Sequence, residues 1–196
     1  MRRKIIYLKR IGDLNEALLL KLQKDLSWFF KDFGYSVKIE KEPLEILENE
    51  YDSMRKQYDG GKILKRLIIH ADLKKHFPLL GIIAYDIYSR TLNFVFGLAI
   101  NPIQCRLYHP GVALISVARL MESFYLRKED FGLESIRIFK EAIHELGHAF
   151  GLDHCKNECV MRFSNSLMDT DKKPAKYCNT CIKRINNFLS IIESVR

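Results

Sequence analysis

His144-Glu145-Leu146-Gly147-His148-Ala149-Phe150-Gly151-Leu152-Asp153-His154 is the stretch from which the rest of the chain is read. Apolar residues at Ile136, Phe139, Ile143, Leu146 and Phe150 recur around it in steps of three and four, which predicts one buried face of a helix over 133–150. His144 and His148, four apart, stand one above the other on a different face, so both can turn a ring nitrogen to one metal ion. His154 lies too far along to share that face. The chain must leave the helix and turn back, and Gly151 sits where the turn is needed, because glycine accepts positive φ at little cost.

Zinc that acts on a substrate takes three protein ligands and keeps one position open. Three neutral imidazoles leave the ion its full double charge, so a bound water loses its proton near neutral pH rather than at about 15.7. Glu145 points about 100° around the helix from His144. It is expected to be a catalytic base rather than a ligand, taking the water's proton and passing it to a leaving amine. The bland alternative is a helix with two exposed histidines and a satisfied carboxylate. A glycine and a third histidine at the required offsets make that the poorer reading.

The cysteines Cys155, Cys159, Cys178 and Cys181 form two close pairs just beyond His154. Pairs spaced by two to four residues suit a tetrahedral thiolate zinc site, which has no open position and is therefore structural. Such an ion would tie 155–181 to the start of a last helix and replace the core that a short lobe lacks. Disulfides or a redox pair are the alternatives. Both fit poorly, the first with a chain lacking an export signal and the second with the absence of a preceding strand. Cys105 stands apart and is expected to be buried and inert.

Working outward, 4–8 reads as a strand, and Asp13 as the cap of a helix over 14–33 that Gly34 ends. A second strand follows at 35–40, then a weak helix at 45–56, a break at Gly60-Gly61 and a helix at 63–72. Three strand-length apolar runs, 80–85, 92–98 and 112–117, arrive without helices between them, and 101–111 is a loop. The chain closes on a helix at 182–192. These elements predict an α+β fold, a mixed twisted β-sheet with helices in an upper lobe carrying the active-site helix. A small irregular zinc-stabilised C-terminal lobe ends in a helix. One domain is expected over 1–196, with the upper lobe at 1–151 and the lower at 152–196.

With 47% hydrophobic residues a packed core is expected, and the net charge of +8 is spread along the chain without an arginine-rich, aromatic-interleaved run. The expectation is a solvated lysine-rich surface, with nucleic acid disfavoured. No apolar run is long enough to span a membrane, and the basic N-terminus precedes too few apolar residues for a signal peptide. The expected location is cytoplasmic, with a monomer favoured and the oligomeric state open.

The H-E-x-x-H-x-x-G-x-x-H string resembles the metzincin metallopeptidases. The cysteine directly after the third histidine, then Cys159-Val160-Met161 and Cys178-x-x-Cys181, resembles the archaemetzincins within them, and 92–97 and 115–120 are similar to that family too. The resemblance implies two zinc ions per chain. One is catalytic at His144, His148 and His154, and one is structural at the four cysteines. It also implies that Met161 is the Met-turn residue beneath the first ion, where the residues alone make Met161 or Met168 a core filler. Strand 112–117 would be the edge that pairs with extended substrate. The Cys155–Cys159 and Met161–Cys178 gaps are each one residue shorter than the family pattern, both in loops. Asp153 either orients a ligand ring or is a solvated loop acid, and His109 is a surface histidine or borders the cleft.

The implied activity is zinc-dependent hydrolysis of peptide bonds by Glu-assisted attack of zinc-bound water; the resemblance says little about substrates, and short peptides are expected because a small enzyme without a pro-segment should not digest folded proteins. The alternative is a zinc-stabilised protein that binds peptide or nucleic acid, with a latent catalytic site. Residues 162–170 would shape the pocket for the side chain after the scissile bond.

Overall fold

The computed structural model describes residues 4–90 and 92–194, so the outer ends of the expected 1–196 span lie outside the described residues. Strand β1 (Lys4–Ile11) leads into helix α1 (Glu16–Phe30) and strand β2 (Tyr35–Ile39). Then come β3 (Tyr51–Asp52), β4 (Gln57–Asp59), helix α2 (Gly60–Lys74), β5 (Leu79–Ile83) and β6 (Ile87–Tyr88). The chain continues through β7 (Gly97–Ala99), β8 (Val112–Ser116), α3 (Phe131–Ala149), α4 (Leu167–Lys172) and α5 (Asn179–Ser194).

The main sheet runs β2-β1-β5-β8-β7. Its first four strands are parallel and β7 is antiparallel to β8. Alternation along β5 sends Leu80 and Ile82 to one face and Leu79 and Ile83 to the other, each face with its own core. Helices α1, α3 and α5 cover the first face and α2 the second, as a parallel sheet requires. Leu152, Val160, Met161, Tyr177 and Phe188, from beyond residue 151, belong to the same core as α1 and α3. The expected mixed sheet with helices is therefore present.

Several expectations are corrected. Asn15, not Asp13, caps α1, its side chain accepting from Leu18 N (3.2 Å). The helix stops at Phe30, and a 3₁₀ turn over Lys31–Phe33 carries the chain to Gly34 at φ +78°. Residues 45–56 are not a helix. The Glu50 carboxylate accepts from Leu47 N and closes a single 3₁₀ turn at Glu48–Glu50. Asp52 Oδ1 then accepts from Met54 N and Arg55 N and turns the chain between β3 and β4. Gly60-Gly61 begins α2 rather than breaking the chain, because Asp59 Oδ1 caps Gly61 N and Lys62 N. Of 92–98 only Gly97 onward is strand. Strand β8 is interior, flanked by β5 and β7, and the edge facing outward is β7. Ile136 is 51% exposed, and Ile138 and Ala142 take its place in the core. The stretch after Gly151 contains the short helix α4.

Candidate functional site

Helix α3 starts at Asp130, whose side chain accepts from Leu133 N (2.9 Å). It is buried almost along its length, polar residues included. Arg137 pairs with Glu122 and, in bidentate fashion, with Asp171 (2.6 and 2.8 Å). Lys140 Nζ donates to the Thr170 and Asp171 carbonyls (3.1 and 2.8 Å), and Lys173 Nζ to Glu141 Oε2 (3.2 Å). Charged side chains thus bind the segment around α4 to the helix, Arg137 and Lys173 in ion pairs and Lys140 through two carbonyls. At the other end Gly151 adopts φ +84° and turns the chain, while Leu152 N donates back to Gly147 O (2.9 Å).

That turn brings His154 to His144 and His148, the three offering ligand nitrogens within 4.8 Å of one another. Their Nδ1 atoms are already committed in two cases. His144 Nδ1 donates to Val160 O (2.8 Å) and His148 Nδ1 to Leu152 O (2.7 Å). A carbonyl only accepts, so both rings carry the proton on Nδ1 and present an Nε2 lone pair. Those two Nε2 atoms face each other at 3.3 Å. Two lone pairs at that distance repel unless a cation sits between them. A tetrahedral ion with Zn–N bonds near 2.0–2.1 Å sets the same edge at about 3.3–3.4 Å. The donor set therefore fits zinc. Burial, aided by the Lys173 ammonium, holds His144 well below the usual imidazole range; His148 and His154 are also lowered, chiefly by burial.

Glu145 is 5% exposed, and burial, then the neighbouring Glu141 charge, pushes its carboxyl well above the usual range against the pull of Lys173. Its carboxylate rests on the bare backbone of Gly97 in β7, where a Cβ would lie 2.5 Å from Glu145 Cγ. Both border a cleft of about 710 Å³. Residues 92–99 wall it on one side, Phe163, Ser164 and Asn165 on the other, with Glu141, Glu145 and the histidines between them. Glu141 and Lys173 went unread in the sequence. Glu141, on the turn before His144 and Glu145, was findable from helical spacing; Lys173 was not.

The four cysteines also converge, with Cys155 Sγ 3.8 Å from Cys178 Sγ and Cys159 Sγ 3.7 Å from Cys181 Sγ. Zn–S bonds near 2.3 Å give a tetrahedral edge of about 3.8 Å, so these sulfurs also fit an ion. Burial opposes ionisation at Cys178, yet bonds from Asn157, Cys181 and Cys155 bring it to about 6, while burial and Cys159 raise Cys181. Cys155 N donates to Met161 O, and Val160 N to Lys176 O. Met161 is fully buried, its sulfur filling the space a side chain at Gly147 would need.

Among the described residues Asp153 makes no hydrogen bond to a histidine ring; its Oδ1 accepts from Gln104 Nε2 (2.9 Å) and Asn101 Nδ2 (3.4 Å), bracing 101–104. His109 packs on Phe77 and donates to the Pro110 carbonyl, away from the cleft walls. Cys105 is exposed, not buried, because its loop lies on the surface, and Met168 is 62% exposed rather than a core filler.

The model of peptidase family M54 matches residues 7–187. The chain is 39% identical over 191 residues to the archaemetzincin of Pyrococcus furiosus, covering 95% of each. The archaemetzincin of Methanocaldococcus jannaschii is 38% identical, with 93% of each covered. Among solved structures, archaemetzincin from Archaeoglobus fulgidus superposes with a TM-score of 0.73 at 33% identity, covering 92% of this chain and 99% of that one. A zinc-dependent peptidase from Methanocorpusculum labreanum gives 0.79 at 28%, covering 92% and 100%.

Proposed function

The chain belongs to peptidase family M54, the archaemetzincins, and is a zinc metallopeptidase; from that premise we propose that it cleaves short, extended peptides with His144, His148 and His154 as ligands of a catalytic zinc and Glu145 as general base. The binding-protein alternative gives way to that membership. The observation that carries the reading is the meeting of two imidazole lone pairs at 3.3 Å, a third histidine closing on them, and a buried carboxylate one residue from the first ligand. When bound there, zinc acts as a Lewis acid on the scissile carbonyl and brings the pKa of coordinated water to roughly 7.

The protein's own groups do the rest. Val160 O and Leu152 O fix two rings in the ligand tautomer. A Glu145 carboxylate oxygen accepts the proton of the attacking water and returns it to the departing amine nitrogen. Strand β7, paired with β8 on one side, offers its free backbone edge along the cleft to an extended peptide. Phe163, edge-on to His154, also lines the cleft, and short peptides suit a space of about 710 Å³.

The four cysteines would hold a second, structural zinc, making two per chain, and Met161 would serve as the Met-turn floor. The chain is read as one catalytic domain with lobes meeting near residue 151, working in the cytoplasm, where cysteines stay reduced; none of the five is in a disulfide. Among the described residues no helix is long and apolar enough to cross a membrane.

The test is cleavage of a peptide library by the wild type and by Glu145→Ala, with zinc counted in each. Two zincs in both proteins and cleavage in the wild type alone is the expected outcome. Equal cleavage by both would remove Glu145 from the mechanism.

A further inference from the structure

A second hollow of about 630 Å³ lies beside the cleft, between residues 101–108 and α5, within the size range of ligand sites. Ile103, Leu107, Phe188 and Ile191 give it apolar walls, and Ile103 and Ile191 are each 58% exposed. Gly151 forms part of its floor, since a Cβ there would come within 2.7 Å of Ile103 Cδ1 and 3.7 Å of Phe188 Cδ2. Asp153 lines both this hollow and the cleft, so the two spaces adjoin at that residue.

Arg106 and Arg184 also line it; both are exposed, and neither has an ion-pair partner among the described residues. Two unpaired guanidiniums beside uncovered apolar surface suit a ligand carrying both carboxylates and apolar side chains. The loop is held in shape without a ligand. Asn101 Oδ1 accepts from Ile103 N and Gln104 N (3.0 and 3.4 Å), and Asn101 Nδ2 donates to the Leu152 carbonyl that also fixes His148.

We propose, resting on the peptidase reading above, that this hollow is an exosite for a distal, apolar and acidic portion of the peptide whose scissile bond lies at the histidines. Anchoring one part of the peptide raises the effective concentration of the other at the cleft. The gain belongs in KM, because the exosite touches none of the reacting atoms.

The experiment uses the zinc-loaded full chain and a quenched fluorescent core peptide, compared with the same core extended at either end by Leu-Glu-Leu-Glu or by Leu-Lys-Leu-Lys. The acidic extension at one end is expected to lower KM about tenfold, with kcat within about twofold, from two exposed ion pairs plus apolar burial. In the Arg106→Glu, Arg184→Glu double variant the advantage passes to the basic extension, while the core peptide is cut as before. Extensions that leave KM within about twofold at both ends, or an acidic advantage that survives in the double variant, overturn the exosite alone. A core peptide that the wild type does not cut brings down the hydrolase reading, and this one with it.

Discussion

The histidine cluster and the cysteine cluster lie on either side of one short stretch, and they are built in opposite ways. Two of the three histidines stand on α3, a regular helix capped and packed along its length, and two rings are fixed by backbone carbonyls before any ion arrives. The cysteines come from an irregular segment and the start of α5, and their sulfurs are held mainly by one another. One site is preorganised by secondary structure and borders a cleft, which suits chemistry. The other encloses its centre with four donors, which suits holding a segment that has few regular hydrogen bonds of its own.

The sharpest way to break that contrast is to remove one ligand from each cluster. His148→Ala is expected to lower kcat/KM at least about a thousandfold, because several kcal/mol of Lewis-acid stabilisation are lost. Its melting temperature should move by only a few degrees. Cys159→Ser should do the reverse in emphasis, lowering the melting temperature by at least about 10 °C, since a structural zinc contributes on the order of 10 kcal/mol to folding. Calorimetry and kinetics on both variants decide it, and equal melting temperatures would erase the distinction.

A chelator titration sharpens the same point. Activity should vanish at a lower chelator concentration than the circular dichroism signal, because the histidine site has one exposed ligand and only three donors. Coincident loss of the two would mean the ions leave together.

A smaller effect is expected at Gly97, which belongs to the cleft but to neither cluster. Gly97→Ala places a methyl group against the Glu145 carboxylate and should cost about tenfold to a hundredfold in kcat with zinc content unchanged.

The smallest effect concerns histidines that need no metal. His70 Nε2 and His76 Nδ1 meet the Glu40 carboxylate at 2.7 and 2.6 Å, with Lys9 Nζ at 2.8 Å. Burial opposes ionisation of Glu40, but bonds from Lys9, His76 and His70 lower its pKa to about 2 from 4.5. Its folded pKa lies below its unfolded one, so the stability it contributes is complete above about 4.5 and fades as pH falls towards 2. Glu40→Gln should lose about 1–2 kcal/mol at pH 7 in urea unfolding, with the gap to wild type closing below pH 4 and zinc content unaffected.

The sequence made α3 and the convergence of its two histidines with His154 legible because helical period, glycine and histidine spacing coincide in one segment. The interior position of β8 was legible too and was missed. Val112–Ser116 is apolar at four of its five positions, the mark of a strand covered on both faces, whereas an edge tolerates the glycine and short length of β7. Residues 45–56 misled because their acids read as helix formers, while Glu50 and Asp52 in fact hydrogen-bond local backbone and arrest the helix. The Glu141–Lys173 pair was out of reach, since 32 positions separate partners that only the tertiary fold brings together.

Val160 sits between the two centres in a literal sense. Its carbonyl receives the His144 proton, while the residue before it supplies a sulfur to the thiolate set. An ion held by the four sulfurs would steady that peptide unit, and with it the carbonyl on which the imidazole already rests.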